Sequence, residues 1–355
     1  ASNFKGNCEA VYFPESVDEV VSIVKEANTN KTKVTIAGNG TGLTGARVPQ
    51  NGIVIATDKL NKILEINSKD FYAVIEPAVL LSDFQKELKQ QNLFYPPDPT
   101  ETNCYIGGTV ATNASGAKTF KYGPTRDYVI GLEIVLPDGE VIDLERGKQK
   151  AVGYDLALTT QSGKNISLQI PDYTFPAVKN ASGYFVKKDM DAIDLFIGSE
   201  GTLGIITKIK LKLLSQPEDT ISCVLFFEDE TTALNFLEEA RDISYQNRKN
   251  NVNDSINALA LEFFDERALK FLAKDFSAIP ENAQAAIWFE QESTSDSFDT
   301  ILEAWNNLMQ THNVNEEIAW FAFSDADKEK IKDFRHAISW KVNEYVARNN
   351  FRKLG

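Results

Sequence analysis

The chain contains 355 residues, of which 43% are hydrophobic, 25% charged and 10% aromatic, which is typical of a globular protein and excludes disordered and collagen-like classes. This length predicts two or three domains. No apolar run reaches the roughly 18 to 20 residues of a membrane helix. The three cysteines (Cys8, Cys104 and Cys223) form neither a disulfide framework nor a zinc cluster. We therefore expect a protein of a reducing compartment, the cytoplasm.

Charge and glycine divide the chain into two parts. Residues 1–216 carry 25 acids and 23 bases, whereas residues 217–355 carry 26 acids and 14 bases. The second part therefore accounts for most of the net charge of -14. This field repels nucleic acid and excludes docking on anionic lipid by charge alone, so we expect no nucleic-acid partner and at most peripheral membrane association. All glycines except Gly355 lie at or before Gly204, and all four tryptophans lie after that residue. Two domains are therefore predicted, 1–216 and 217–355.

Hydrophobic periodicity predicts the elements of the first part. Ser16 is an expected N-cap, because Glu19 follows three residues later and valines recur at helical spacing. Asp138-Gly139 between two alternating runs indicates a hairpin. In chain order the predictions are a helix over about 17–28, strands at 33–37, 52–57 and 73–76, a helix over 82–91, the hairpin at 132–142 and a strand at 208–213.

The second part alternates strands with amphipathic helices. This order suggests one antiparallel sheet with helices on one face. The polar segment 245–254 is predicted to be an exposed loop. The strands are predicted at 221–227, 258–264, 285–290 and 317–323, and the helices over about 231–243, after residue 264, and over 298–311 and 328–349.

The first of three glycine clusters spans residues 36–45. Gly40, Gly42 and Gly45 match the GxGxxG spacing of dinucleotide-binding folds. That fold needs a helix to begin at the third glycine, whereas Arg-Val-Pro-Gln-Asn-Gly at 47–52 is incompatible with a helix. The cluster is interpreted as a compact loop whose backbone amides form an anion-binding nest, with a tight hairpin as the structural alternative.

The other two clusters span residues 106–116 and 196–206. The former consists almost entirely of small and hydroxyl-bearing residues, and the latter contains three glycines. Small side chains let a flat ring or a diphosphate lie against the main chain, and hydroxyl and amide groups supply hydrogen bonds. Each cluster by itself is compatible with a structural turn, but the three together indicate a ligand site.

The order of these blocks resembles a known family. It is similar to the flavoproteins of the vanillyl-alcohol oxidase and p-cresol methylhydroxylase type, in the branch with the glycolate oxidase FAD subunit, D-lactate dehydrogenases and D-2-hydroxyglutarate dehydrogenases. The resemblance implies an α+β fold, with a two-lobed FAD-binding domain at 1–216 followed by an antiparallel-sheet-plus-helices cap (substrate) domain at 217–355, truncated at its C-terminus. The matching blocks are residues 11–16, 36–45, 95–99, 107–116, 122–123, 131–133, 179–184 and 198–204.

The resemblance also assigns cofactor-binding residues. Covalent members of the family attach their flavin through a histidine in the first loop or a cysteine in a later one. No histidine precedes His312, so non-covalent FAD is expected unless a cysteine attaches it. The residues expected to bind FAD are Gly38, Asn39, Gly40, Thr41, Gly42, Leu43, Thr44, Pro97, Gly107, Gly108, Thr109, Thr112, Asn113, Ser115, Gly116, Glu200, Gly201, Gly204 and Ile206.

For catalysis the resemblance points to Arg335, near which the family tends to place an arginine that clamps the substrate carboxylate. A guanidinium suits this role because it grips two oxygens at once; an ordinary surface arginine is the alternative. The family draws its catalytic base, and in some members metal ligands, from a histidine-rich C-terminal segment, and this sequence ends at Gly355 without that pattern. We interpret His312 as a solvated helix end and His336 as a partly buried helical residue, and no metal site is predicted.

The implied activity is oxidation of a D-2-hydroxy acid, such as D-lactate, glycolate or D-2-hydroxyglutarate, by hydride transfer to flavin N5. Electrons are expected to pass to a quinone, cytochrome, iron–sulfur or electron-transfer protein. Two alternatives remain open: a catalytically silent FAD-binding subunit of a larger oxidoreductase, and an alkyl-transferring flavoenzyme of ether-lipid synthesis.

Overall fold

The computed structural model describes residues 4–176 and 178–351, and these fall into two compact units. Unit 1 contains the residues up to Gly116 together with Gly123–Gln216. Unit 2 contains Pro217–Phe351 and the short segment Ala117–Tyr122. The assignment of 117–122 to unit 2 was not predicted from the sequence, because neither glycine content nor charge changes at these residues.

Helices and strands follow one another along both units. The helices are α1 Val17–Thr29, α2 Leu81–Gln90, α3 Ile106–Ala111, α4 Thr119–Tyr122, α5 Ile193–Phe196, α6 Glu230–Asn250, α7 Glu266–Leu272, α8 Phe298–Thr311 and α9 Asp325–Arg348. The strands are β1 Ala10–Tyr12, β2 Val34–Ala37, β3 Ile53–Ala56, β4 Ile63–Asn67, β5 Tyr72–Ile75, β6 Leu93–Phe94, β7 Val129–Val135, β8 Val141–Glu145, β9 Asp155–Thr159, β10 Asn165–Gln169, β11 Ile205–Lys212, β12 Leu214–Ser215, β13 Asp219–Phe227, β14 Ala260–Asp265, β15 Ala285–Ser293 and β16 Trp320–Phe321.

Unit 1 contains two principal sheets. Strands β1, β3 and β2 form a parallel sheet in that order. Strands β4, β5, β11, β7 and β8 form an antiparallel sheet in that order. Helix α1 begins after Ser16, whose side chain accepts a hydrogen bond from the backbone N–H of Glu19 as predicted. Its buried face, Val20 and Val24, packs with Ile55 of β3 and Val135 of β7 in one apolar cluster.

The predicted hairpin at 132–142 is confirmed as β7 and β8, which are joined through Asp138 and Gly139. Gly139 has a φ of 82°, the left-handed region that glycine tolerates best. The lysine-alternating strand is confirmed as β11, in which apolar residues are buried at every second position. Strands β4, β9 and β10, each five residues long, were not predicted, although exposed and less exposed positions alternate in β9 and β10.

Unit 2 is built on one antiparallel sheet with the order β14, β15, β13, β16. The predicted antiparallel sheet is therefore confirmed, but the prediction that its helices cover one face is wrong. Phe236 of α6 and Trp305 of α8 pack in a cluster with Cys223 and Ile287. Neighbouring strand positions point to the opposite face, where they pack against residues of α7 and α9. The sheet strands are buried on both sides, as their nearly continuous apolar runs in β13 and β15 reflect.

Two element boundaries in unit 2 also differ from the predictions. Helix α6 continues to Asn250, so residues 245–250 are helical rather than loop. Their polar side chains have partners within unit 2: Asn247 Nδ2 donates to the Ile256 carbonyl at 2.8 Å, and Arg248 Nη1 donates to the Phe120 carbonyl at 2.7 Å. The strand predicted at 317–323 is reduced to β16 and follows a 3-10 turn at Glu316–Ile318.

Candidate functional site

The three glycine clusters meet around one pocket of unit 1, whose volume is about 300 Å³. The first cluster contributes its loop after β2, the second contributes α3 and the residues that follow, and the third contributes the turn before β11. The predicted residues that line this pocket are Gly38, Asn39, Gly40, Thr41, Gly42, Thr44, Gly107, Gly108, Thr109, Thr112, Glu200, Gly201, Gly204 and Ile206.

The first loop is extended and irregular after β2. No helix follows Gly45 in the structure, which agrees with the sequence argument against a Rossmann fingerprint. Arg47 Nη1 donates a hydrogen bond to the Gly38 carbonyl at 3.0 Å. Asn39 Nδ2 donates to the Asn103 carbonyl at 2.5 Å, which ties this loop to the segment that precedes α3.

Backbone hydrogen bonds join the second and third clusters directly. The N–H of Gly198 donates to the Val110 carbonyl at 3.0 Å, and the N–H of Glu200 donates to the Ala111 carbonyl at 2.8 Å. Glu200 has a φ of 52°, an uncommon conformation for a residue with a side chain. The turn before β11 is thus fixed against the C-terminal end of α3, and the two clusters form one wall.

A buried arginine supports that wall from behind. Arg126 donates to the Asp194 carboxylate at 3.1 Å and to the Ile197 carbonyl at 2.5 Å, and its own N–H donates to Asn113 Oδ1 at 3.0 Å. Arg146 Nη2 donates to the same Asp194 carboxylate at 3.0 Å. Burial lowers the pKa of the Arg126 guanidinium, and the charge of Asp194 opposes that shift. Two guanidinium groups on one carboxylate form a brace between the second and third clusters.

The glycines of the pocket serve two different purposes. A Cβ on Gly107 would lie 2.5 Å from Pro77 Cβ, and one on Gly204 would lie 2.5 Å from Ile134 Cγ2, so these glycines are required for packing. A Cβ on Gly42 or Gly108 would meet no atom within 4 Å. Gly42 and Gly108 therefore border open space at the pocket, where a ligand can approach the backbone.

Two hydroxyl groups that were predicted to bind the ligand donate hydrogen bonds within the protein. The hydroxyl of Thr109 donates to the Ile106 carbonyl at 2.8 Å, and that of Thr112 donates to the Gly108 carbonyl at 2.9 Å. Each hydroxyl oxygen can still accept a hydrogen bond, but its proton is already donated to a backbone carbonyl. Most backbone N–H groups here are used as well, since those of Gly107, Thr109 and Thr112 donate to the carbonyls of Pro77, Tyr105 and Gly108.

Some predicted residues lie outside the pocket lining. Pro97 is buried behind it, Asn113 accepts the Arg126 N–H, and Gly116 packs against the Asp98 carbonyl; Leu43 and Ser115 are half-buried neighbours of the loops. The lining residues that sequence reasoning missed are Ile36, Ala46, Arg47, Thr57, Pro77, Pro99, Glu101, Cys104, Tyr105, Ala111 and Ala114. Of these Arg47 and Ala46 directly follow the first cluster, so reading that motif two residues further would have found them.

Cys104 is the thiol that lines the pocket, and it is buried. Burial raises the pKa of the Cys104 thiol to about 11. A protonated thiol is a poor nucleophile at neutral pH. Tyr105, beside it, donates its hydroxyl to Asp58 Oδ1 at 3.2 Å, and burial followed by the charge of Asp58 raises the pKa of this tyrosine.

The predicted carboxylate clamp, Arg335, lies on α9 of unit 2. Its Nε and Nη2 donate to the two oxygens of Glu262 at 2.9 and 2.8 Å, a bidentate pair. The guanidinium also lies 5.6 Å from the centre of the Trp288 ring. Its side chain is 9% exposed, so it is not an ordinary surface arginine.

The two histidines of the chain also lie in unit 2. His312 is not a solvated helix end, because its Nε2 lies 2.8 Å from Glu239 Oε2 and its ring packs edge-on against Phe236. His336 is half-buried on α9, as predicted. Burial, together with the charges of Arg335 and Lys332, lowers the pKa of His336.

Two negative findings apply to the described residues, 4–176 and 178–351. No helix there is long and apolar enough to cross a membrane. No group of three or more histidine, cysteine, aspartate and glutamate side chains there is arranged to hold a metal ion.

Known proteins similar to this chain bind FAD in the region of the glycine clusters. The profile of the FAD binding domain matches residues 8–145, which include the first two glycine clusters. A D-2-hydroxyglutarate dehydrogenase of Stutzerimonas stutzeri is 32% identical over 95% of this chain and 62% of its own. The chain contains an FAD binding domain and is similar over most of its length to a D-2-hydroxyglutarate dehydrogenase. Its cofactor is FAD.

Further relatives have names of the same kind. A D-lactate dehydrogenase of Anaerostipes hadrus is 38% identical over 63% of the chain and 40% of its own length. The glycolate oxidase subunit GlcD of Bacillus subtilis is 29% identical over 83% of the chain and 54% of its own. The chain thus spans about 40–62% of the length of these relatives. An alkyldihydroxyacetonephosphate synthase structure, 18% identical, shares the fold with a TM-score of 0.62 over 92% of this chain and 58% of its own.

The pocket of unit 1 fits a dinucleotide cofactor on two observations. Gly42 and Gly108 leave the backbone open to close approach, and the irregular first loop presents N–H groups that no helix consumes.

Proposed function

We propose that the protein is an FAD-dependent dehydrogenase that oxidises a D-2-hydroxy acid, of the D-lactate, glycolate or D-2-hydroxyglutarate class, to the 2-oxo acid. One observation carries the proposal: all three glycine clusters line one pocket, in a chain whose relatives are named for oxidation of these three acids. The electron acceptor is proposed to be a quinone, cytochrome, iron–sulfur or electron-transfer protein.

In this proposal FAD is held non-covalently by the loops at 38–44, 107–112 and 200–206. When bound, FAD supplies the hydride acceptor of the reaction. The backbone N–H groups of the first loop would hold the diphosphate, and Gly42 and Gly108 would keep the close approach free of side chains. The raised pKa of Cys104 disfavours the thiolate that a bond to the flavin would need.

Arg335 is proposed to bind the substrate carboxylate. Because Glu262 already occupies two of its five N–H donors, an incoming carboxylate competes with Glu262 for the guanidinium. Substitution of Glu262 by glutamine weakens that competition, since a neutral amide is a weaker partner than a carboxylate for a guanidinium. We therefore expect Glu262→Gln to lower the KM for the acid, and Arg335→Lys to raise it because a point charge replaces a two-pronged group.

The test is anaerobic mixing of the FAD-loaded protein with each acid, followed by flavin absorbance, with L-lactate as the stereochemical control. Bleaching by a D-acid and not by L-lactate supports the dehydrogenase. FAD uptake without bleaching by any D-acid in the whole protein supports the alternative, a catalytically silent FAD-binding subunit.

For the 355 residues by themselves we expect dithionite to bleach the flavin and the D-acids to do so very slowly. These residues contain no His-Gly-His pattern, and the loss of a general base costs about 10² to 10⁴ in rate. Fast bleaching of this chain would place the base within it. His336 would then be the first residue to replace, because its lowered pKa keeps the imidazole neutral and able to accept a proton.

A further inference from the structure

The pocket of unit 1 has an uneven set of charges. Its ionisable lining residues are Arg47, Glu101, Glu200, Cys104 and Tyr105. Among the described residues that line it, Arg47 is the cation. A diphosphate brings about two negative charges beside two carboxylates, and this repulsion opposes binding unless a positive group lies close by.

Arg47 lies against the first glycine loop. Its Nη1 donates to the Gly38 carbonyl at 3.0 Å, and a Cβ on Gly40 would collide with its guanidinium. The side chain thus spans the backbone of residues 38–40, where the loop amides are. In the part of the chain that the structure describes, Arg47 makes no ion pair with a carboxylate, unlike Arg126, Arg146 and Arg335.

We propose that Arg47 pairs with the diphosphate of FAD, and that this contact makes the pocket prefer FAD to flavins without a diphosphate. The inference rests on the FAD site proposed above. A guanidinium has five N–H donors in a rigid fork and binds phosphate oxygens in pairs, so one bond to the Gly38 carbonyl leaves donors for the ligand. Arg47 supplies the charge that a P-loop lysine supplies elsewhere, beside backbone amides that are neutral.

The test uses the flavin-free 355-residue chain and its variants Arg47→Gln and Arg47→Lys. Quenching of flavin fluorescence gives the dissociation constants of FAD and riboflavin, and competition with FAD gives that of ADP. Lys59→Gln is the matched control, since it removes one positive charge from an exposed side chain of unit 1 that pairs with Glu15 and does not line the pocket. Urea unfolding of each variant shows whether its fold is intact.

We expect Arg47→Gln to weaken the binding of FAD and of ADP by about tenfold to a hundredfold, the range of a hydrogen bond to a charged group. The same substitution should reduce the salt dependence of FAD binding. Arg47→Lys should recover part of the loss, and riboflavin binding and the Lys59→Gln variant should stay within about twofold of wild type. FAD binding by Arg47→Gln within twofold of wild type overturns the inference and leaves the FAD site standing. Equal losses for riboflavin and FAD also overturn it, since Arg47 then only braces the loop. A wild-type chain that binds neither FAD nor ADP contradicts the proposed site itself.

Discussion

The two units of this protein depend on different parts of their residues, unit 1 on the backbone around its pocket and unit 2 on the side chains of its core. In unit 1 the pocket is made by backbone, with Gly42 and Gly108 open to it and Gly107 and Gly204 packed behind it. In unit 2 the structure depends on large side chains such as Trp305, which fill the space on either side of one sheet. A substitution in unit 1 therefore acts by adding atoms to backbone space, and one in unit 2 acts by removing side-chain volume.

The largest effect is expected where added atoms meet the ligand. Gly42→Val combined with Gly108→Val places side chains in the open space of the pocket, and neither glycine has a positive φ that would strain the variant. If each clash costs about 1–3 kcal/mol, FAD binding weakens by about thirty-fold or more. Flavin fluorescence titration measures this loss, and circular dichroism should show an unchanged fold. FAD content equal to wild type would contradict the assignment of these two glycines to the ligand surface.

In unit 2 the largest effect is expected at Trp305. This side chain is fully buried, stacks on Phe289 at a centroid distance of 3.9 Å and donates its Nε1–H to Gln291 Oε1 at 3.0 Å. Trp305→Ala should reduce the free energy of unfolding of unit 2 by about 3–5 kcal/mol in urea denaturation. Trp340 is 51% exposed, so Trp340→Ala is the control and should change stability by about 0.5 kcal/mol or less. Similar losses of stability for both variants would mean that the buried volume removed does not determine the loss.

A smaller effect separates the packed glycines of unit 1 from the open ones. Gly107→Ala and Gly204→Ala bring a Cβ against Pro77 and Ile134, and such overpacking costs about 1–3 kcal/mol of stability. Gly108→Ala is the matched control on the same helix, and it should be neutral or stabilising because alanine favours a helix. The free energy of unfolding in urea is the measurement. Equal stability of the alanine variants at 107 and 108 would refute the distinction.

Sequence reasoning reached the elements of unit 2 and the ligand loops of unit 1 for different reasons. Helix α8 was predicted at its observed bounds, Phe298–Thr311, because its apolar spacing is regular. Periodicity could not say which face a helix covers, and so the helices of unit 2 were wrongly placed on one face. Residues 245–250 were mistaken for a loop because polar composition does not show that Asn247 and Arg248 bond within unit 2.

In the pocket the glycine clusters identified the loops but not the role of each residue. The sequence does not distinguish Gly107 from Gly108, yet one packs on Pro77 and the other faces open space. Arg47, Cys104 and Tyr105 were missed because small residues mark the clusters, whereas these three residues flank them. Their contribution depends on tertiary contacts that motif spacing does not encode.

The smallest expected effect is chemical and concerns the cysteines of the two units. Cys104 lines the pocket with a pKa raised by burial to about 11, Cys8 is exposed, and Cys223 is buried in unit 2, where burial raises its pKa. Thiolate is the reactive form, so alkylation of Cys104 by iodoacetamide should accelerate about tenfold per pH unit as pH rises from 7 to 10. Bound FAD should slow the alkylation of Cys104 several-fold and leave that of Cys8 unchanged. Cys223 should stay unlabelled in the folded protein. Mass spectrometry of tryptic peptides measures all three rates. A Cys104 rate that levels off by pH 9 would contradict the raised pKa of this thiol, and a rate that FAD does not change would place the thiol outside the FAD site.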